Sequence, residues 1–192
     1  MVISPMNART NLVDHFLIAM PQLHGSYFAR SVIYVWRHAP EGALGLVINS
    51  PLEMQLSEIF EQLDIDDRRP FPANQTVLSG GPVETDKGFI LHDSPTLWSS
   101  TIEVAEGLRI TTSRDILADI GRGTGPQNYL VALGCAGWGP GQLEQEIVDN
   151  VWLVCPANKD IIFSSDFQNK VDLAASTMGF NMVQLTPTAS YC

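Results

Sequence analysis

Charge is scarce in this chain. Only 17% of its 192 residues are charged, against roughly 25% in ordinary soluble domains. What charge there is runs one way: 11 basic against 21 acidic residues leave a formal charge of −10. A surface of that sign repels nucleic acid and anionic lipid over its Debye range unless a local basic patch opposes the mean. The one adjacent basic pair, Arg68-Arg69, follows Asp64, Asp66 and Asp67. We therefore expect no direct binding to nucleic acid and no attraction to membranes.

Cysteine is also scarce. Cys135, Cys155 and Cys192 are unclustered, which excludes a disulfide framework and suits free thiols in a reducing compartment. His15, His24, His38 and His92 show no metal-ligand spacing with one another or with a cysteine, so neither a metal nor a cofactor is expected. The apolar runs are far below the roughly 18 residues of a membrane span. The opening MVISPMNART lacks the basic-then-apolar layout of a secretory signal. The expected setting is the cytoplasm.

What the chain does have is 45% hydrophobic content, enough for a sizeable core. Its length favours a single domain over 1–192, with 1–11 and 187–192 as loose ends. FLIAM (16–20), SVIYVW (31–36) and LGLVIN (44–49) read as strands, the last two joined in a hairpin. LSEIFEQL (56–63) is a short amphipathic helix and 64–74 a proline-rich acidic loop. Residues 76–92 read as strand, bend and strand, with Gly80, Gly81 and Pro82 at the bend. Further strands are expected at 101–104, 108–112, 128–134, 151–155 and 161–163. Helices are expected after Ser113, over 142–150 and over 166–178. Ser113 suits an N-cap and Gly121 a helix end. Hairpins early and strand–helix alternation later favour an α+β fold.

The segment LGCAGWGPGQLEQEIVDNVWLVCP (133–156) carries the strongest chemical suggestion. An apolar run stops at Cys135, and three glycines and a proline follow within six residues. A phosphate-binding P-loop needs a lysine after the glycines, and none lies between Lys87 and Lys159. A nucleophile elbow about Cys135 has Gly137 but lacks its first glycine, since position 133 is leucine. The dinucleotide fingerprint also fails on spacing. Two readings stay open: a glycine-rich turn offering amides to an anion at a helix start, or a tight corner with Trp138 packed into it. GGPVETDKG divides in the same way, between a ligand loop and a hairpin connection.

FLIAMPQL, RSVIYV, HAPEGALGLVINSPL, GGPVETDKGFILH, TTSRDIL and LGCAGWGPGQLEQEIVDNVWL occur in the order seen in the YqgE/AlgH family. The chain resembles that family from about residue 12 to 185. The resemblance implies an α+β fold with a coiled, barrel-like mixed sheet flanked by several short helices. It implies a bacterial protein of unsettled function, in a family many of whose members carry a transcriptional-regulator label. It brings no catalytic residues. Its motif positions here include Gly80, Gly81, Pro82, Gly88, His92, Ser113, Gly134, Gly137, Trp138, Gly141, Gln142, Leu143, Glu144 and Glu146. His24 and Arg37 depart from acidic positions frequent in the family, which keeps the first hairpin out of the expected site.

The expected function is a regulatory module that binds a small molecule or a protein partner. Its candidate site comprises Gly80, Gly81, Pro82, Ser113, Gly134, Gly137, Trp138, Gly141 and Gln142, with the two glycine-rich loops converging on a shared hollow. A hydrolase-like enzyme using Ser113, His92 or Cys135 is the alternative. A transcriptional regulator acting without direct DNA contact is a second.

Overall fold

A computed structural model of the chain describes residues 11–69 and 75–182. Ten strands occur in chain order among these residues: β1 (His15–Ala19), β2 (Val32–Ala39), β3 (Gly42–Val47), β4 (Pro51–Gln55), β5 (Thr76–Ser79), β6 (Val83–His92), β7 (Thr101–Ala105), β8 (Leu108–Thr111), β9 (Tyr129–Trp138) and β10 (Trp152–Pro156). Five short helices accompany them: α1 (Leu56–Gln62), α2 (Arg114–Arg122), α3 (Gln142–Val148), α4 (Lys159–Phe163) and α5 (Lys170–Ser176). The strands form one curled, half-barrel sheet in the order β10-β1-β2-β3-β9-β6-β8-β7, with β4 and β5 branching from β9. Every pairing is antiparallel except that of β5 with β9. The fold is α+β, as composition and order imply.

Strand periodicity explains the layering, because alternate residues face opposite sides of a sheet. Phe16, Ile18, Val32, Tyr34, Phe89, Leu91, Leu130 and Ala132 point to one face, where α4 and α5 cover them with Ile162, Val171 and Ala174. The intervening residues supply two cores on the other face. Leu17, Ile33 and Val35 meet Leu143 of α3, while Ile90 and Val131 meet Phe60 of α1 and Ile116 and Ile120 of α2. Both faces are covered, which is why β1 and the first half of β2 are buried nearly without interruption.

β9 organises this arrangement. Along Tyr129–Leu133 it pairs with β6, and at Ala132 and Leu133 with β5 on its other side; beyond Gly134 its neighbour on the β5 side becomes β3, through Gly45–Ala136, Leu44–Gly137 and Ala43–Trp138. Gly134 has φ +76°, and it stands alone opposite residues 84–87, between the pairs Gly88–Leu133 and Val83–Cys135. The bulge is on β6, which has the surplus residues, and within β9 the alternation shifts at Gly134. Leu130 and Ala132 share the α5-side core, but so does Cys135, and Ala136 and Trp138 face α3.

Several local expectations are corrected. The strand expected to end at 134 runs to Trp138, because a bulge bends a strand without ending it. IIF (161–163), read as a strand, is helical in α4: the Asn158 side chain accepts from the Asp160 and Ile161 amides and starts the turn. Gly121 is buried inside α2 and Gly123, at φ +79°, closes that helix. α5 begins at Lys170 after Asn169, four residues beyond the expected start at 166. β4 was not expected: its alternation of half-buried Leu52 and Met54 is too short to stand out. Residues 70–74 of the acidic loop, and Cys192, lie outside the described residues. No helix among the described residues is long and apolar enough to cross a membrane.

The glycines in and against β9 separate by what a methyl group would meet. A Cβ at Gly81 would sit 2.1 Å from the Cys135 carbonyl carbon, and one at Gly134 2.4 Å from the Gly81 oxygen. At Gly137 the nearest atoms are Leu44 Cδ2 at 3.6 Å and Val83 Cγ2 at 3.8 Å, ordinary contact. Gly81→Ala and Gly134→Ala are expected to cost roughly 3 kcal/mol or more, or to prevent folding. Gly137→Ala is expected to stay within about 0.5 kcal/mol of the parent. Urea denaturation of the three variants checks this, and a destabilised Gly137→Ala would contradict it.

Candidate functional site

The two glycine-rich segments do converge. The Gly80 amide donates to the Leu133 carbonyl at 2.8 Å, and the Gly80 carbonyl accepts from Val47 at 2.9 Å. A Cβ at Gly80 would lie 2.2 Å from the Gly134 oxygen. Gly80, Gly81, Gly134 and Cys135 are all buried. Their backbones touch, so the hollow expected between them is filled by main chain: these four positions join β5, β6 and β9.

Beyond the bulge the chain serves a different end. The carboxylate Oε2 of Glu146 accepts both indole N–H groups, from Trp138 and from Trp152, each at 2.8 Å. The two rings meet edge to face with centroids 6.0 Å apart. Gln142 donates from Nε2 to Glu146 Oε1 at 2.9 Å and accepts at Oε1 from the Gly139 amide at 3.0 Å. Gly141, at φ +72°, makes the left-handed turn into α3. One turn away, His38 Nδ1 accepts from the Leu12 amide, so Nε2 carries the proton that meets Glu144 Oε1 at 2.7 Å. Burial raises the Glu144 pKa, but the bonds from its own amide and from His38 outweigh it and leave the carboxyl below the usual range. The amide and side chains that an anion would need are therefore engaged within the turn.

Ser113, His92 and Cys135 do not form a catalytic group. Ser113 precedes α2 as expected but caps no amide. Its hydroxyl donates to Asp115 Oδ1 and accepts from the Ser100 amide. Asp115 in turn accepts from the Ser99 amide and hydroxyl. Burial raises the Asp115 pKa, and the bonds from Ser113, Ser99 and Ile116 overcome it to hold the carboxyl near about 2. His92 is fully buried, its Nε2 on Thr111 Oγ1 at 2.8 Å and its ring edge-on to Trp98. Burial first, and then the Arg109 charge, lower its pKa to about 4. Cys135 lies opposite Val83, whereas His92 lies opposite Tyr129 at the far end of the same ladder. The Cys135 thiol is buried, which pushes its pKa up, as does Glu84.

What these segments present outward is a small apolar face. Val83 is 43% exposed and touches the open strand at Gly137, which also faces Leu44. Beside it Arg37, Glu41, Gly42, Ala43, Leu44 and Trp138 wall a hollow of about 180 Å³. This face belongs partly to the first hairpin, outside the site expected from sequence. The usable signal was the glycine pair 42 and 45: a Cβ at Gly42 would lie 2.2 Å from the Trp138 carbonyl oxygen. Pro82 adjoins Val83, while Ser113 lies beyond β6, on the strand order's far side, with its hydroxyl turned to Ser100 and Asp115.

A family profile described as AlgH-like matches residues 16–183. Among relatives, a UPF0301 protein of Shewanella loihica is 43% identical over 182 residues, covering 94% of this chain and 98% of its own. A UPF0301 protein of Thioalkalivibrio sulfidiphilus is 45% identical over 186 residues, covering 97% and 100%. The solution structure of the AlgH protein from Pseudomonas aeruginosa superposes with a TM-score of 0.77 at 43% identity, over 97% of this chain and 99% of that one. A crystal structure from Corynebacterium diphtheriae shares the fold at a TM-score of 0.73 and 18% identity, over 95% of each chain.

Two outcomes follow from the buried polar groups. Glu146→Ala strands two indole N–H groups and is expected to cost about 2–3 kcal/mol, with both indole proton resonances shifting on heteronuclear NMR. His92 should stay neutral down to about pH 4. The unfolded chain takes up that proton near pH 6.5, so this contribution to stability is complete above that pH and is lost as pH falls toward 4. Denaturation curves across that window, for the parent and His92→Gln, read the difference; identical pH slopes would contradict it.

Proposed function

The chain belongs to the AlgH-like family, and on that footing we propose that it is a regulatory binding module of the bacterial cytoplasm. It engages a small molecule or a protein partner through the outward face of the β3–β9–β6 junction. The observation that carries this reading is the apolar ridge of exposed Val83 and Gly137 and half-buried Leu44 beside the hollow at Trp138. The site is the outer side of the glycine-rich segments named from sequence: Pro82, Gly137, Trp138, Gly141 and Gln142 border or brace it, and Gly80, Gly81 and Gly134 hold its strands together. A surface backed by such a junction keeps its shape without a ligand, which lowers the entropic cost of binding.

Binding is favoured over catalysis because Cys135 lies at the far end of the β6–β9 ladder from His92, His92 is bonded to Thr111, and the Ser113 hydroxyl is taken up by Asp115 and the Ser100 amide. Any influence on transcription then runs through a partner and not through contact with DNA. Arg68 and Arg69, the adjacent basic pair, are each taken up by an aspartate, Asp66 and Asp67, at 2.6 Å.

The test uses Val83→Asp, an exposed substitution expected to leave the melting temperature unchanged. Protein purified from its bacterial host should carry a small molecule on native mass spectrometry, or yield crosslinks to a partner at 83, 137 or 44, and the variant should lose them. Retention of every bound species by the variant overturns the reading. In parallel, fluorescence anisotropy with duplex DNA at about 150 mM salt should stay flat at micromolar protein. Tight, salt-sensitive DNA binding would replace the partner-mediated reading with a direct one.

A further inference from the structure

A second hollow, of about 380 Å³, lies away from that face. Three separate segments wall it: the turn before β2 with Tyr27 and Arg30, the link from β3 to β4 with Asn49 and Ser50, and the approach to α5 with Phe167 and Gln168. No carboxylate lines it, in a chain with nearly twice as many acids as bases. The lining contains one cation, Arg30.

Arg30 is held in an unusual backbone state, φ +57°, a region that few residues other than glycine adopt. Asn49 fixes it there. Its Nδ2 donates to the Arg30 carbonyl at 2.8 Å, and its Oδ1 accepts from the Val32 amide at 2.9 Å. Backbone strain of this kind persists where the surroundings over-determine it, and it clusters at ligand sites. Four other arginines are paired with acids: Arg68 with Asp66, Arg69 with Asp67, Arg109 with Glu103 and Arg122 with Asp119. No acid or hydrogen-bond acceptor meets the Arg30 guanidinium among the described residues.

The walls are aromatic and braced. The Tyr27 hydroxyl is 2.7 Å from Ser79 Oγ and its ring packs edge-on to Phe28, yet 56% of the residue stays exposed. Behind Phe167 the Lys170 amine is fully buried. It donates to the carbonyls of Ile48 and Ile162 and lies 5.1 Å from the Phe167 ring centre. Burial lowers the Lys170 pKa to about 7, so the wall is backed by a basic group, and no carboxylate lines the hollow in front of it.

We infer that this hollow binds a small organic anion, its phosphate or carboxylate forked by Arg30 and its planar body held between Tyr27 and Phe167. The guanidinium offers paired N–H groups matched to either oxyanion. Asn49 and Gln168 supply polar edges, and the volume suits a body of nucleotide or aromatic-acid size. This site is separate from the Val83–Gly137 face and does not depend on it.

NMR titration of the intact protein tests the assignment with adenosine monophosphate, 4-hydroxybenzoate, inorganic phosphate and neutral adenosine. Either organic anion should shift the Arg30, Tyr27 and Phe167 resonances with a submillimolar Kd, and the tighter of the two names the oxyanion. Inorganic phosphate and adenosine should each bind at least roughly tenfold more weakly than the better anion. Arg30→Gln should weaken that anion by roughly tenfold or more. Arg30→Gly, which relieves the left-handed backbone, should abolish binding with an unchanged or higher Tm, and Val83→Asp should leave binding intact. Absence of shifts with both organic anions, equal binding by Arg30→Gln, or inorganic phosphate as tight as either organic anion would each overturn the assignment.

Discussion

The contact on which the structure depends is main chain against main chain, where Gly80 and Gly81 press on Gly134 and Cys135. No side chain intervenes, and a Cβ at any of the three glycines would fall within 2.5 Å of a backbone atom. The consequence reaches beyond the local fit. The left-handed residue Gly134, opposite the bulge of β6, inverts which face of β9 looks inward, and so lets one strand serve the α5-side core with Leu130, Ala132 and Cys135 and the α3-side core with Ala136 and Trp138. A glycine that looks like a ligand loop in the sequence is here a parity switch in a sheet.

The rest of the signature stretch follows from that switch. Trp138 emerges on the α3 side, where it meets Trp152 of β10, and Glu146 receives both indoles. One carboxylate thereby ties β9 and β10, which lie at separated positions in the sheet order, to the helix that covers them. Gln142 and Gly141 shape the turn that brings Glu146 into reach. The motif is dense in chemistry-bearing residue types, and nearly all of that chemistry is spent on holding α3 in place. What is left for recognition is the rim: Val83, Gly137, Leu44 and the hollow against Trp138.

Much of this was legible in the sequence, for reasons that differ from element to element. The apolar runs of β1, β2 and β3 announced themselves because both faces of the sheet are covered, and the face of α2 was plain from Ile116, Leu117 and Ile120. The proximity of the two glycine segments was also readable, since close approach of backbones is a recurrent reason for paired glycines. What lay hidden was whether they leave space between them, a matter of tenths of an ångström that composition does not encode. The parity change at Gly134 was invisible because a bulge glycine and a turn glycine look alike. IIF misled because a three-residue apolar run fits a strand or a buried helical turn equally well, and Asn158 three residues before decided it. Arg30 gave no sign at all: its isolation from carboxylates is a property of three distant segments.

The place of β9 in the chain has a bearing on how the protein is made. It is the ninth of ten strands, yet β3, β5 and β6 all pair with it, and β1 waits still longer for β10. A nascent chain leaving the ribosome at about 5–20 residues per second exposes β1 to β8, with their apolar runs, well before residue 138 is free. During that interval β3 and β6 present edges whose native neighbour does not yet exist, and contacts so distant in sequence are slow to close. Synthesis therefore passes through an obligatory window in which most of the sheet has been made and its keystone has not, so this fold, despite its modest size, is one for which helpers that shield open strand edges have a defined moment to act.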